Sequence, residues 1–126
     1  MRMKVAVGIS LLLLVSSCAN SPVNQTSSPS INLGNVKSCQ MWQQANIEFR
    51  EIGYITVRAF LELGIKLTNS AQTADAKLKE SLLVVAEKNR SMTEEEWKRG
   101  WSTTPAQDAA RDYVVSTCEA LGVFIK

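Results

Sequence analysis

Histidine is absent from the whole chain of 126 residues. Its absence excludes Ser-His and Cys-His nucleophile pairs, and it removes the most common general base and the usual zinc and haem ligand. The chain also has no glycine-rich phosphate loop, no zinc-type cysteine spacing and no calcium-loop motif. The sequence therefore predicts a protein that is not an enzyme and that uses neither a metal ion nor another cofactor.

Dense acidic clusters are scarce as well. The one example is Glu94-Glu95-Glu96, which directly follows Thr93. Paired carboxylates can catalyse the hydrolysis of glycosidic bonds. Because this cluster is the one place where acidic residues are dense, it supplies the only catalytic candidates. Acids are also favoured in the first turn of a helix, where they face its positive end. A solvated helix start is the simpler interpretation.

Long apolar runs are limited to the N-terminus. Arg2 and Lys4 precede apolar residues 5–15, and the small residues Ser16 and Ser17 follow. A basic start, an apolar run too short to span a bilayer and small residues before a cleavage site are typical of a secretory signal peptide. We predict that residues 1–17 are a signal peptide.

Residues 15–18, with the sequence Val-Ser-Ser-Cys, resemble the lipobox of bacterial lipoproteins. That motif is an aliphatic residue, two small residues and a cysteine. The resemblance implies cleavage just before Cys18 and attachment of a diacylglycerol to its sulfur, with palmitate-type acyl chains that anchor the protein stably in a membrane. The alternative is an ordinary signal peptide with a cysteine near its cleavage site.

The implied location is the bacterial cell envelope. Ala19 and Asn20 follow Cys18 in place of the aspartate that resembles an inner-membrane retention signal. An outer membrane facing the periplasm is therefore permitted in a Gram-negative host, and the outer face of the cell membrane is expected otherwise.

The charge of the mature chain argues against one class of partner. Loss of Arg2 and Lys4 with the signal lowers the number of Lys and Arg residues from 14 to 12, which equals the 12 acidic residues. A near-neutral protein lacks the basic surface that nucleic acid requires. No nucleic-acid partner is predicted.

The two remaining cysteines form an even pair in an exported chain. Because the exported compartment is oxidising, we predict a disulfide between Cys39 and Cys118. Closing a loop of about 80 residues would contribute roughly 4 kcal/mol to stability. Two buried free thiols are the alternative.

The mature chain divides into two parts. Residues 18–35 are rich in Ser, Asn and Pro and offer little to bury, which predicts a flexible tether. Residues 36–126 predict an all-α domain, a small bundle of three main helices and one short helix joined by one disulfide. The first and last helices could pack antiparallel or parallel.

The first predicted helix is long, because apolar residues recur at steps of three and four from Cys39 to Leu67. Trp42 lies on this stripe and is predicted to be core. Gly53, followed by strand-forming residues 54–57, predicts a bend or, as the alternative, a short strand.

Three further helix starts are predicted. The second helix covers residues 71–89, with Asn69, Ser70 and Thr73 as candidate N-caps. Thr93, with Glu96 reaching back, is a capping box that opens a short helix ending near Gly100.

The last helix begins at another capping box, formed by Thr104 and Gln107 with Pro105 in the first helical position. It ends near Gly122, which is a favourable C-terminal cap. Residues 123–125 are predicted to dock as an apolar tail.

The candidate interface is Trp97, Lys98, Arg99 and Trp101. Two indoles four residues apart share a helix face, and here two cations lie between them. Such a group could meet a lipid surface, a sugar ring or a protein partner. The plainer alternative is that both indoles close the open end of a small core.

Two functions follow as hypotheses. The first is a non-enzymatic, membrane-anchored envelope lipoprotein whose helical domain binds a macromolecular partner, with an inhibitor or immunity role as one form. The second is a carrier for a small apolar ligand between the helices. The carrier hypothesis rests on the broad apolar surface of the first helix, which includes Tyr54, Ile55, Leu61 and Ile65.

Overall fold

The computed structural model describes residues 30–123. The predicted signal peptide, Cys18, most of the predicted tether and the tail residues Phe124 and Ile125 lie outside the described residues. Within them every regular element is helical, so the predicted all-α class is confirmed. The elements are α1 (Leu33–Arg50), α2 (Val57–Ser70), a 3-10 helix (Ala71–Thr73), α3 (Ala76–Arg90), α4 (Glu94–Arg99) and α5 (Pro105–Ala120).

The predicted long first helix is wrong, because it is two helices. Helix α1 ends at Arg50, and residues 51–56 form a turn in which no strand is present. Thr56 then caps α2 by accepting a 3.2 Å hydrogen bond from the Ala59 amide to its Oγ1. The apolar spacing continued across the break because both helices bury their stripes in the same core. The β-branched residues Ile55 and Thr56 favour extended backbone, which Thr56 adopts with a φ of −125° and a ψ of 166°, and this completes the break.

Helix α1 begins earlier than predicted, inside the segment assigned to the tether. Asn32 is its N-cap, and the Asn32 side chain accepts a 3.1 Å bond from the Asn35 amide. The Ser/Asn-rich composition concealed this start, since the same residues that suggest disorder are also good N-caps.

Asp75, rather than Asn69, Ser70 or Thr73, caps α3. Its Oδ1 accepts a 3.0 Å bond from the Leu78 amide. Its Oδ2 accepts a 2.7 Å bond from Asn35 Nδ2, and its own amide donates to Asn35 Oδ1 at 2.8 Å. The Leu78 amide and the Asn35 side chain hold the pKa of Asp75 below its usual value. The connection between α2 and α3 is thereby joined to the start of α1.

The disulfide between Cys39 and Cys118 is confirmed, with a Cα–Cα distance of 5.5 Å and both residues fully buried. It joins the first half of α1 to the end of α5. Arg111, nearer the start of α5, shares a cleft with Arg50 at the end of α1. The two helices are therefore antiparallel, which settles the alternative that the sequence left open.

Both ends of α5 follow the sequence prediction. The Thr104 and Gln107 side chains form the reciprocal capping box. Gly122 has a φ of 83°, and the Val123 amide donates to the Cys118 carbonyl at 2.9 Å, which is a Schellman-type ending. Val123 is buried against the core, as predicted for the first tail residue.

The four long helices alternate in direction around one core, and α2 crosses α3 closely at Gly64. A Cβ atom at Gly64 would lie 2.8 Å from both the Ala86 carbonyl oxygen and the Arg90 amide nitrogen. Such contacts are too short for any side chain, so glycine sets the distance between these helices. Completely buried core side chains include Leu78, Leu82, Ala86 and Val114.

Candidate binding cleft

Four aromatic rings meet at the end of the bundle where α2 begins, and we call them the aromatic cluster: Phe49, Phe60, Trp97 and Trp101. Phe60 is the centre and is only 6% exposed. Its ring centroid lies 5.1 Å from that of Phe49, 5.1 Å from that of Trp97 and 5.2 Å from that of Trp101. Tilted and stacked pairs at these distances are the favourable arrangements of aromatic rings.

The two indoles meet at Phe60 without sharing a helix face. Helix α4 ends at Arg99, and Gly100, with a φ of 104°, turns the chain before Trp101. The predicted common face is therefore wrong, although the predicted proximity is correct. The helical spacing fails here because a left-handed glycine ends the helix between the two residues.

The predicted capping box at the start of α4 is half formed. The Glu96 amide donates to Thr93 Oγ1 at 3.1 Å, as expected. The Glu96 carboxylate, however, pairs with the ammonium of Lys88 on α3 instead of reaching back. A charged partner from another helix outcompetes the local amide, and the pair attaches α4 to the bundle.

The plainer alternative for Trp97 and Trp101 is supported in part, because each indole packs against Phe60. Since 36% of Trp97 and 43% of Trp101 remain exposed, both are also accessible to a partner, and the interface stays a prediction. Lys98 and Arg99 are exposed, and the Arg99 guanidinium lies 3.6 Å from the Glu95 carboxylate. Arg99 and Trp101 line one small depression at the end of α4, and Trp97 packs on the same Phe60 ring as Trp101.

Beside the aromatic cluster is a cleft of about 570 Å³, which we call the aromatic cleft. All four long helices contribute to it, together with the segment between α4 and α5. Its volume falls within the range of about 300–1,000 Å³ that is typical of small-molecule sites. The apolar part of its lining consists of Trp42, Phe49, Phe60, Leu63, Leu67, Val85 and Trp101.

Trp42 is buried as predicted, with 4% exposed, but its polar atom is not satisfied. Among the described residues, Trp42 Nε1 is the one buried side-chain nitrogen or oxygen without a hydrogen-bond partner. A buried donor left unpaired lowers stability by about 1–3 kcal/mol, so native proteins rarely retain one. Trp42 lines the aromatic cleft, so the unsatisfied donor belongs to a residue of the cleft wall.

Charged residues surround the same cleft. Lys88 is paired with Glu96, and its ammonium also lies 5.3 Å from the centroid of the Trp101 ring. Asp108 Oδ1 accepts a 2.6 Å hydrogen bond from Thr103. Arg50 and Arg111 are exposed, and neither forms an ion pair with any residue of the 30–123 segment.

A second depression, of about 660 Å³, lies along the outer face of α3 and reaches Gln107. It is an open groove lined by Leu83, Val84 and the stems of charged side chains. No side chain lining it holds a buried, unpartnered polar atom within the described chain. The aromatic cleft is therefore the stronger candidate for a ligand.

The cleft does not use the residues that suggested a carrier. Tyr54 is 81% exposed, Leu61 and Ile65 are also exposed, and none of them or Ile55 lines the cleft. The signal that could have located it is on α1, where Trp42, Asn46, Phe49 and Arg50 recur at helical spacing. Polar Asn46 and charged Arg50 on the same face as two aromatics indicate a face that is only partly core.

In the segment 30–123, no three Cys, Asp or Glu residues are grouped so that they could hold a metal ion. No helix in that same part of the chain is long and apolar enough to cross a bilayer. Comparison with known proteins gives no match to this chain among family models, curated proteins or solved structures.

Proposed function

We propose that the mature chain is a non-enzymatic lipoprotein of the bacterial envelope, anchored at Cys18, whose helical domain binds a protein partner. The observation that carries this proposal is the pair of half-exposed indoles, Trp97 and Trp101, held in place by Phe60. Rigid, partly exposed tryptophans are characteristic of the residues that dominate protein interfaces. Lys98 and Arg99 between them suit a partner with carboxylates around an apolar pocket.

The anchor and the domain are joined by a short stretch of chain. Since α1 begins at Leu33, residues 18–32 separate the proposed lipid from the fold. Fully extended, they would reach about 50 Å. The domain could therefore meet a partner well away from the lipid surface, as an inhibitor or immunity protein at the envelope would need to do.

The anchor is tested by mass analysis of the protein extracted from the membrane fraction, with Cys18→Ser as the comparison. We expect an N-terminal peptide that begins at Cys18 and carries acyl chains, and loss of membrane association in the variant. A soluble protein cleaved at another position would overturn the anchored proposal.

The partner surface is tested by crosslinking in the producing cell. We expect a defined protein adduct with the wild type and its loss with Trp97→Ala. Leu83→Ala is the matched control, because Leu83 on α3 is 38% exposed, similar to Trp97. Circular dichroism establishes that each variant is folded. An adduct that survives Trp97→Ala and Trp101→Ala alike would exclude this surface as the interface.

A second function, that of a carrier for a small apolar ligand, is supported by the aromatic cleft and the unpartnered Trp42 Nε1. Native mass spectrometry of the freshly purified protein is the direct test. A co-purified small molecule, or a rise in melting temperature with an added apolar compound, would support the carrier function. The absence of both would count against it.

A further inference from the structure

We infer that the aromatic cleft binds a small amphipathic anion, with its apolar body against Trp42, Phe60 and Trp101 and its acidic head at Arg50 and Arg111. The apolar half of this inference rests on the carrier function proposed above. The acidic head is an additional assignment, and it stands on separate observations.

The residues that line the cleft predict that most of the ligand is apolar. Seven of the lining side chains are aliphatic or aromatic, and they come from α1, α2, α3 and the segment that holds Trp101. Small-molecule sites have this composition, with a few polar groups that fix the orientation of the ligand. A cleft of about 570 Å³ is large enough for one small molecule.

The unpartnered indole of Trp42 belongs to the wall of the cleft. Trp42 Nε1 can only donate, and no described residue accepts from it. Asn46 and Asn89 are oriented by bonds from their Nδ2 atoms to the Trp42 and Val85 carbonyls, and neither side-chain oxygen accepts from the indole. The unpaired N–H therefore marks the wall of the cleft as a part of the core that is not fully satisfied.

The charged residues at the cleft predict that the ligand carries a negative charge. Of the three cations at the cleft, Lys88 is neutralised by Glu96, while Arg50 and Arg111 have no carboxylate partner among residues 30–123. The one anion of the lining, Asp108, accepts a hydrogen bond from Thr103. Two free guanidinium groups beside an apolar cavity suit a carboxylate or phosphate head, which they can bind with paired hydrogen bonds.

The test uses the proposed mature chain, residues 18–126, with Cys18→Ser, so that neither the lipid nor the apolar run 5–15 is present and residues 30–123 are unchanged. The probes share a ten-carbon chain and differ in the head: decanoate, decyl phosphate, decanol and decyltrimethylammonium. Binding is followed by isothermal titration calorimetry and by the fluorescence of the tryptophans, two of which line the cleft. We expect saturable one-to-one binding of both anions, at least tenfold tighter than binding of the alcohol or the cation.

Two variants assign the head group to its residues. The double variant Arg50→Gln/Arg111→Gln should weaken decanoate binding at least tenfold and leave decanol binding unchanged. Arg58→Gln is the matched control, since its side chain is exposed on α2 and outside the cleft, and it should bind decanoate like the parent protein. An equal loss in the control would show non-specific charge attraction and would overturn the assignment.

The apolar wall is tested separately with Trp42→Phe, which keeps an aromatic ring of smaller area. We expect weaker binding of both anions and of decanol by a similar factor, because all three share the apolar chain, with the helical circular dichroism retained. If decanol and decanoate bind the parent protein equally well, the carrier function stands and the anionic class is overturned. If no probe binds saturably, both are overturned.

Discussion

At the end of the bundle where α1 begins, the buried polar side chains of the described segment have partners: Asn35 bonds to Asp75, and Ser38 bonds to Thr73. Cys39 is joined covalently to Cys118 at the same end. We call this the disulfide end. About 15 Å further along α1, the aromatic cluster closes the other end. Between the two, one turn beyond Cys39, Trp42 lines the cleft that reaches the aromatic cluster, and its indole nitrogen has no partner.

The difference separates two tasks within one small domain. Covalent and polar bonds at the disulfide end fix the arrangement of the helices, so the other end does not need to be tightly packed. An incompletely filled core and half-exposed indoles are tolerable where binding requires them. The comparison predicts that changes at the disulfide end act on stability and that most changes at the aromatic end act on binding.

The largest expected effect is loss of the disulfide. Cys39→Ala/Cys118→Ala should lower the free energy of unfolding by roughly 4 kcal/mol. Without the disulfide, which joins residues 79 positions apart, the unfolded chain gains conformational entropy. Urea titration of the parent and the variant measures the change. A loss below about 1 kcal/mol would mean that the polar bonds hold this end without the disulfide.

Phe60→Ala comes next and tests the most buried ring of the aromatic cluster. We expect a loss of about 3 kcal/mol, because the buried ring contacts three other aromatic rings. Tyr54→Ala, which removes an exposed ring from the preceding loop, should change stability by less than about 0.5 kcal/mol. Similar losses for the two variants would contradict the central position of Phe60.

Gly64→Ala probes the crossing of α2 and α3 between the two ends. The added methyl would contact the Ala86 carbonyl and the Arg90 backbone, so a loss of about 2 kcal/mol is expected. Gly53→Ala is the control, since a Cβ there meets nothing within 4 Å. Thermal unfolding of the two single variants should separate them clearly, and equal melting temperatures would refute the close approach.

The smallest effect concerns Asp75 at the disulfide end. Asp75→Ala should lower stability by about 1 kcal/mol through loss of the α3 cap. Since the folded-state pKa of Asp75 is lowered, its contribution is fully present above the unfolded-state pKa and disappears as the pH falls through the folded-state value. As the pH is lowered through the acid range, the free energy of unfolding should fall less steeply in Asp75→Ala than in the parent protein. Identical pH dependence in the two proteins would exclude a contribution of the Asp75 carboxylate to stability.

The features that the sequence predicted correctly are those encoded by neighbouring residues or by simple pairing. The capping box at Thr104 and Gln107, the cap at Gly122 and the bond from Cys39 to Cys118 are of this kind. Each depends on a local motif, or on the only two cysteines left after Cys18, and so needs no knowledge of packing.

The features that were missed depend on contacts between distant residues. Asp75 caps α3 and also bonds to Asn35, which is 40 residues away in sequence. The Glu96 carboxylate pairs with Lys88 on α3 and therefore does not complete the capping box. The cleft needed all four long helices in place before Trp42 and Arg111 could be seen to line one cavity. Periodicity alone also could not show that α1 and α2 are separate, because both follow the same spacing.

The disulfide has a mechanical consequence for a protein held by its N-terminus. Tension from an anchor at Cys18 would enter α1 at Leu33 and reach Cys39 within two turns of helix. Beyond that point, residues 39–118 form a covalently closed ring, and Trp97 and Trp101 lie within it. A force between the anchor and a partner bound at the indoles would therefore be shared by two lengths of chain, so that neither alone carries the full load.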